Sequence, residues 1–195
     1  MKRLYEAYAY GSKPIDNCFW NRSVPLPKLP SLTGSLKVDV AVIGAGYTGL
    51  SAALLLAQDG VEVAVVDAET PFWGASGRNG GFCCLGGAKA SEKTLITRFG
   101  EAGKTEFRRC EKAAVNFVAD LIARHDIEAD CHSKGETVLA HRPRDMTALR
   151  RQAADIKNDY GVEDHYISAA HLSAHGMTGP FHGAMPIPIG FALNP

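Results

Sequence analysis

The 195-residue sequence has no charge excess, because 21 Lys and Arg are balanced by 21 Asp and Glu. Without a basic surplus it has no electrostatic means of holding a nucleic-acid backbone or an anionic membrane surface, so neither is an expected partner. The five cysteines, Cys18, Cys83, Cys84, Cys110 and Cys131, form an odd set with no C-x-x-C spacing. That excludes a zinc knuckle and a closed disulfide framework, and reduced thiols in a cytoplasmic setting are expected. The histidines include no H-E-x-x-H pattern. His171 and His175 stand four residues apart, but Ser173, Gly176 and Pro180 mark a loop around them, so no metal site is expected. The uncharged run from Val40 to Ala57 is broken by Gly44, Gly46 and Gly49. It reads as a strand, a tight turn and a helix instead of a membrane span.

What is present is an ordinary globular composition, 46% apolar and 22% charged, enough to bury a core. Residues 1–37 contain Pro14, Pro25, Pro27 and Pro30 without sustained periodicity, and read as an extended arm that Phe19 and Trp20 pin to the body. From Val38 to Ile43 a β-branched run predicts a strand, residues 50–58 predict a helix closed by Gly60, and residues 61–66 predict a second strand. Two strands joined through a helix within about thirty residues make a parallel βαβ unit. Residues 38–90 therefore form one unit with a glycine-rich loop at 74–87, and residues 91–195 form a helical connector and a further domain.

In that second part, Phe107, Cys110, Ala114, Phe117, Val118, Leu121 and Ile122 follow a helical period and predict one amphipathic helix ending near His125. A strand is predicted at 136–140 and a helix at 144–160, with Met146, Leu149, Ala153 and Ile156 on its inner face and Gly161 as its stop. The last 35 residues are rich in His, Gly, Pro and Ser, and Ala192-Leu193-Asn194-Pro195 shows no evident terminal element.

Gly44, Ala45, Gly46, Tyr47, Thr48 and Gly49 form a G-x-G-x-x-G turn between the first strand and the helix. The first glycine allows the turn, the second lets backbone approach a pyrophosphate, and the third lets helix and strand pack closely. The helix's first amides and its positive dipole end suit phosphate oxygens. Asp67, followed by Ala68, ends the second strand 18 residues after Gly49, where a carboxylate accepts hydrogen bonds from an adenosine ribose. A structural turn without a ligand is the alternative, and the motif itself leaves NAD and FAD undecided. The second motif, Gly74-Ala75-Ser76-Gly77-Arg78-Asn79-Gly80-Gly81, lies at the carboxyl edge of the predicted sheet. Small residues there permit close approach, Arg78 suits phosphate charge, and Ser76 and Asn79 supply donors.

Together, the segment from Asp39 to Ala53, the run Val65-Val66-Asp67-Ala68-Glu69 and the second motif resemble FAD-dependent oxidoreductases of the D-amino-acid oxidase superfamily, most closely the gamma-glutamylputrescine oxidase-like branch. The resemblance implies an α/β fold, with a Rossmann-like FAD-binding βαβ unit followed by the start of an α+β substrate domain. It implies FAD as cofactor and a small-molecule amine or amino-acid substrate. Gly44, Gly46 and Gly49 would hold the pyrophosphate, with Tyr47 and Thr48 between them, and Asp67 with Ala68 the adenosine side. Gly74, Ala75, Ser76, Arg78, Asn79 and Gly80 would run toward the flavin. Such enzymes pass a hydride equivalent from substrate to flavin, with oxygen as the usual acceptor. No catalytic acid or base is named. Cys83 and Cys84 read as buried small residues in preference to covalent flavin attachment points. Members of the family are longer, so the sequence reads as an amino-terminal half that leaves a carboxyl-terminal half as the missing partner. An inactive dinucleotide-binding fragment and an NAD-dependent dehydrogenase are the alternatives. On the half-chain reading, the helix before His125 and the strand near Val138 are expected to leave apolar surface open.

Overall fold

A computed structural model describes residues 18–87, 90–163 and 165–195, so the predicted arm before Cys18 lies outside the described residues. The chain divides into two compact units, one reaching to Gly80 and including Pro195, the other spanning Gly81–Asn194. Among the described residues no helix is long and apolar enough to cross a membrane.

Among its described residues the first unit has one helical turn, α1 (Trp20–Ser23), and then runs without helix or strand to β1 (Val40–Ile43). Helix α2 (Tyr47–Gln58) connects β1 to β2 (Val63–Val66), and the two strands pair in parallel with Val40 beside Val63 and Ile43 beside Val66. Valine-rich strands and an Ala- and Leu-rich helix account for the choice of elements. Both strands begin about two residues later than the sequence predicts, whereas α2 begins at Tyr47 instead of residue 50. The early start is a tertiary effect: Gly46, in extended conformation, takes the N-cap position and brings Gly49 into the helix despite its weak propensity. Ile43 is 89% exposed, so one face of this parallel pair stays open among the described residues.

The second unit is built from β3 (Phe82–Cys84), α3 (Glu92–Arg124), β4 (Glu136–Leu139), α4 (Asp145–Tyr160), β5 (Ile167–Ser168), β6 (Gly183–Ile187) and β7 (Gly190–Ala192). Strands β4, β6 and β5 form an antiparallel sheet in that order, and β3 pairs antiparallel with β7. Val115 from α3, Leu149, Ala153 and Tyr160 from α4, and Met185 and Ile187 from β6 make the main core. Helix α3 is capped by Ser91, whose Oγ accepts from the Thr94 amide at 3.2 Å, and is broken at Gly100 (φ 69°, ψ 179°). It is therefore two helices across a kink, not one continuous rod. Helix α4 stops where expected, at Gly161 in the left-handed region.

Three expectations are corrected here. The terminal 35 residues hold β5, β6 and β7, and the glycine-rich loop holds β3. Gly183, Pro186 and Gly190 conceal these strands, because glycine and proline read as breakers. Pro186 is accommodated because β5 pairs only with Gly183 and Ala184, so at position 186 no β5 residue asks β6 for an amide donor. The strand at Val138 is not open either: β4 is paired with β6, and Val138 packs against the main core.

The buried face of α3 also differs from the apolar periodicity. Cys110, Ala114 and Phe117 are exposed, while Lys104, Arg108, Glu111 and Lys112 turn toward α4. Arg108 pairs with Asp159 (3.3 Å) and Glu111 (2.8 Å), Lys104 with Asp159 (2.9 Å), and the Tyr160 hydroxyl donates to Glu111 Oε2 (2.6 Å). Lys112 Nζ donates to the Tyr160 carbonyl at the end of α4 (3.1 Å), where a cation also complements the helix dipole. Charges can sit in such a half-buried seam because each is met by a partner.

Two glycines at similar φ give a contrast that tests the packing. A Cβ at Gly161 (φ +68) would meet no atom within 4 Å, whereas one at Gly135 (φ +84) would lie 1.9 Å from the Ile187 carbonyl oxygen. Gly161→Ala is expected to cost about 1–2 kcal/mol of backbone strain. Gly135→Ala is expected to cost more, on the order of 3 kcal/mol or above, because β6 must also move. Urea unfolding of the two variants checks the order; equal midpoints would mean that Gly135 is not in contact with β6.

Candidate functional site

The pairing of β1 with β2 sets the geometry of the turn that follows β1. With Ile43 beside Val66, the Gly44 amide donates to the Val66 carbonyl at 2.8 Å, and Asp67 comes level with the turn. Gly44 has φ +106, a conformation that L side chains rarely adopt. The Ala45 amide donates to Asp67 Oδ2 (2.7 Å) and the Glu69 amide to Oδ1 (2.9 Å). The bond from Ala45, and then the one from Glu69, hold the Asp67 carboxyl below its ordinary 3.8. Asp67 and Ala68 remain exposed, and each carboxylate oxygen keeps a further lone pair beyond the amide it accepts.

The third glycine has the packing role expected of it. A Cβ at Gly49 would lie 1.9 Å from the Gly44 carbonyl and 3.1 Å from Val42 Cγ1. The first helical bond runs from the Leu50 amide to the Gly46 carbonyl at 3.0 Å. The amides of Tyr47, Thr48 and Gly49 therefore lie ahead of the helical ladder, at the positive end of the dipole. At Gly46 the neighbour is the second motif: a Cβ would come 2.8 Å from Ser76 Oγ, and that hydroxyl accepts from the Tyr47 amide at 3.0 Å.

Gly74 leads into a 3-10 turn at Ala75–Gly77. The turn is closed by the Asn79 side chain, whose Nδ2 donates to the carbonyls of Ala75 (3.2 Å) and Ser76 (2.7 Å). Arg78 donates from Nε to the Gly74 carbonyl (3.2 Å), and its guanidinium lies over the Trp73 ring at 4.8 Å. Gly77 is buried where a Cβ would come 2.3 Å from the Phe72 carbonyl. The structure thus brings residues 44–49, Asp67 and residues 74–80 together in one unit. A methyl group at Gly44 or Gly74 would meet no atom within 4 Å, so the backbone at both positions is open to close approach. Amide donors, a helix N-terminus and a carboxylate in this order suit a diphosphate flanked by a diol.

Sequence reasoning did not find the contacts that tie these pieces together. The Phe72 amide donates to the Ala45 carbonyl (3.0 Å), with Phe72 itself at φ +62. From the arm, Trp20 Nε1 donates to the Asn79 carbonyl (2.8 Å), and Cys18 Sγ lies 3.5 Å from the Gly77 carbonyl. The pinning expected of Phe19 and Trp20 comes through Trp20; Phe19 packs edge-on to the Trp20 ring and is 66% exposed. Nothing in local periodicity reports a bond between residues 59 positions apart.

Cys83 and Cys84 lie in β3 of the other unit, where with Glu111, Val115 and Val118 they line a cavity of about 300 Å³. Burial pushes both thiols above their ordinary range, away from the thiolate form that covalent chemistry requires. The His171 ring is paired with Ser168 Oγ at 2.9 Å.

A model of the FAD dependent oxidoreductase family matches residues 39–195. The chain belongs to that family. This membership sets aside the NAD-dependent reading. The sequence is 31% identical over 137 residues to a probable oxidoreductase, OrdL, of Haemophilus influenzae, covering 70% of this chain and 31% of that protein. It is 55% identical over 51 residues to the gamma-glutamylputrescine oxidoreductase of Escherichia coli, covering 26% of this chain and 12% of that one. Among solved structures, glycine oxidase from Bacillus cereus superposes with a TM-score of 0.60 at 21% identity, over 81% of this chain and 40% of that one. L-amino acid deaminase from Proteus vulgaris does so with a TM-score of 0.57 at 18% identity, over 85% and 37%. These two report the fold. The chain spans about a third of the length of the OrdL relatives it matches.

The amide bonds to Asp67 predict an acid-sensitive turn. A carboxyl held below its ordinary 3.8 contributes stability that is fully present above that value and is lost as pH falls through the lower folded value. Asp67→Asn cannot titrate, so its melting temperature is expected to fall less than the parent's between about pH 5 and about pH 2.5. Parallel melting curves for the two proteins would show that Asp67 carries no such linkage.

Proposed function

We propose that the chain is the cofactor-binding portion of an FAD-dependent oxidoreductase acting on a small amine or amino acid. The observation that carries this reading is the 3.0 Å bond from the Tyr47 amide to Ser76 Oγ, which joins two motifs about thirty residues apart into one cradle. In that cradle the amides at Gly46, Thr48 and Gly49 hold the diphosphate, those of Gly44 and Tyr47 being engaged by the Val66 carbonyl and Ser76 Oγ, and Asp67, with Ala68 beside it, takes the ribose hydroxyls through its remaining lone pairs. Gly74, Ala75, Ser76, Arg78, Asn79 and Gly80 continue toward the flavin.

Support for the substrate class comes from the names of the relatives, since gamma-glutamylputrescine, glycine and L-amino acids all carry an amino group. The chemistry supplied by bound FAD is removal of a hydride equivalent from the carbon bearing that nitrogen, with oxygen as the final acceptor. The residues of this chain bind and orient: the carboxylate fixes the adenosine end, and the helix dipole offsets diphosphate charge.

The test has two stages. FAD titrated against the protein is expected to bind and to raise its melting temperature, and Gly46→Val is expected to weaken binding by more than about tenfold while helical circular dichroism persists. A variant stabilised by FAD as much as the parent would place the diphosphate elsewhere. Bleaching of flavin absorbance near about 450 nm by an amine panel under anaerobic conditions then separates an oxidoreductase from a dinucleotide-binding fragment that lacks turnover.

A further inference from the structure

The loop at 74–80 is held from two sides. Its inner side meets α2 through Ser76 Oγ and the Tyr47 amide (3.0 Å), and it is tied to the glycine turn through the Phe72 amide and the Ala45 carbonyl (3.0 Å). Its other side is held by the arm. Trp20 Nε1 donates to the Asn79 carbonyl at 2.8 Å, and Cys18 Sγ reaches the Gly77 carbonyl at 3.5 Å. The indole is itself fixed: Trp20 starts the α1 turn, which is closed by Ser23 Oγ on the Trp20 carbonyl (2.8 Å), and Phe19 meets its ring edge-on at 5.1 Å.

The bond to Asn79 has a directional consequence. Across a trans peptide the carbonyl and the following amide point in opposite directions. The Asn79–Gly80 peptide is trans, as are the other peptides among the described residues, so the hold on the Asn79 carbonyl turns the Gly80 amide away from the Trp20 indole. The same residue's side chain closes the 3-10 turn through Ala75 and Ser76, so Asn79 links the indole to the hydroxyl that sits on the first amide of α2. Four steps, from Trp20 through the Asn79 backbone and side chain and Ser76 to Tyr47, form one bonded path from arm to helix N-terminus.

We propose that Trp20 is a positioning residue for the dinucleotide cradle. Through its indole N–H it sets the Asn79–Gly80 peptide and the loop behind it, so that affinity for the diphosphate and flavin part of the cofactor depends on the arm. This rests on the FAD reading given above. Affinity for the adenosine end, held by Asp67 at the carboxyl end of β2, does not depend on the arm.

The test uses the full 195-residue chain, with FAD and AMP as separate probes in calorimetric titrations and melting curves run alongside. Trp20→Phe keeps an aromatic ring for Phe19 but removes the donor; Trp20→Ala removes both. Trp20→Phe is expected to lower FAD affinity roughly 2- to 12-fold, the range for one net hydrogen bond, with AMP affinity and melting temperature unchanged. Trp20→Ala is expected to lower FAD affinity further, again with AMP spared. FAD affinity unchanged in Trp20→Phe, with the parent binding FAD, would overturn the proposal and leave the FAD reading standing. Equal losses for FAD and AMP would also overturn it, since that is the pattern of a general structural role. A parent that binds neither probe would overturn the FAD reading and this proposal with it.

Discussion

The first turn of α2 lies against the carbonyl of Gly44, and the nucleotide unit depends on that approach. A single methyl group at Gly49 would stand 1.9 Å from that oxygen, inside any tolerable contact. Because the helix can come so close, its leading amides stand at the carboxyl end of β1, and Ala45 is left with its amide directed at Asp67. The parallel register completes the arrangement: Ile43 opposite Val66 brings Gly44 level with Asp67, so one carboxylate bridges the turn and the chain leaving β2. Were β2 shifted by one residue, every side chain of the strand would change face and Asp67 would leave the turn. Helix packing, strand register and the acidic residue are thus one constraint seen at three places.

That constraint is local, which is why it could be read before the structure. Gly44 and Gly49 lie within one βαβ unit, and the packing role expected of the third glycine follows from sterics that need no distant partner. The second unit behaves differently. Strand β6 contains Gly183 and Pro186, and β7 opens on Gly190, residues that signal turns when read alone. None is explained by its own neighbours: a Cβ at Gly190 would lie 2.5 Å from the Cys83 carbonyl and one at Gly183 2.5 Å from the Tyr166 hydroxyl, and Pro186 is tolerated because β5 pairs only as far as Ala184. Helix α3 failed in the opposite sense, since its type was evident and its buried face was not. Arg108 and Glu111 look solvent-facing until α4 delivers Asp159 and Tyr160 to them.

The seam between α3 and α4 shows what such partnering does. The Tyr160 hydroxyl donates to Glu111, and its titration is pushed far up, first by burial and then by that bond. Glu111 and Arg108 share the seam with Lys104 and Asp159, so removing one member leaves a charge half-buried without its counterpart. Asp159 and Tyr160 stand at the last turn of α4, while Leu149 and Ala153 of the same helix lie in the main core, so the charged seam and the apolar face hold one helix from two stretches.

A division of labour follows within the first unit. The adenosine end of a dinucleotide would be met by residues of one βαβ unit, on a scaffold that many nucleotide-binding proteins share. The remainder would be met by the loop at 74–80, whose shape is set by contacts over long sequence distances, 29 residues to Tyr47 and 59 to Trp20. Discrimination between cofactors that carry the same adenosine diphosphate half cannot arise at the half they share. It has to come from the part of the site where the ligands differ, which on the proposed reading would be the loop braced by the arm. Holding such a loop in one conformation before binding lowers the ordering cost that binding would otherwise incur, so the bond from Trp20 to Asn79 would act on affinity without touching the ligand.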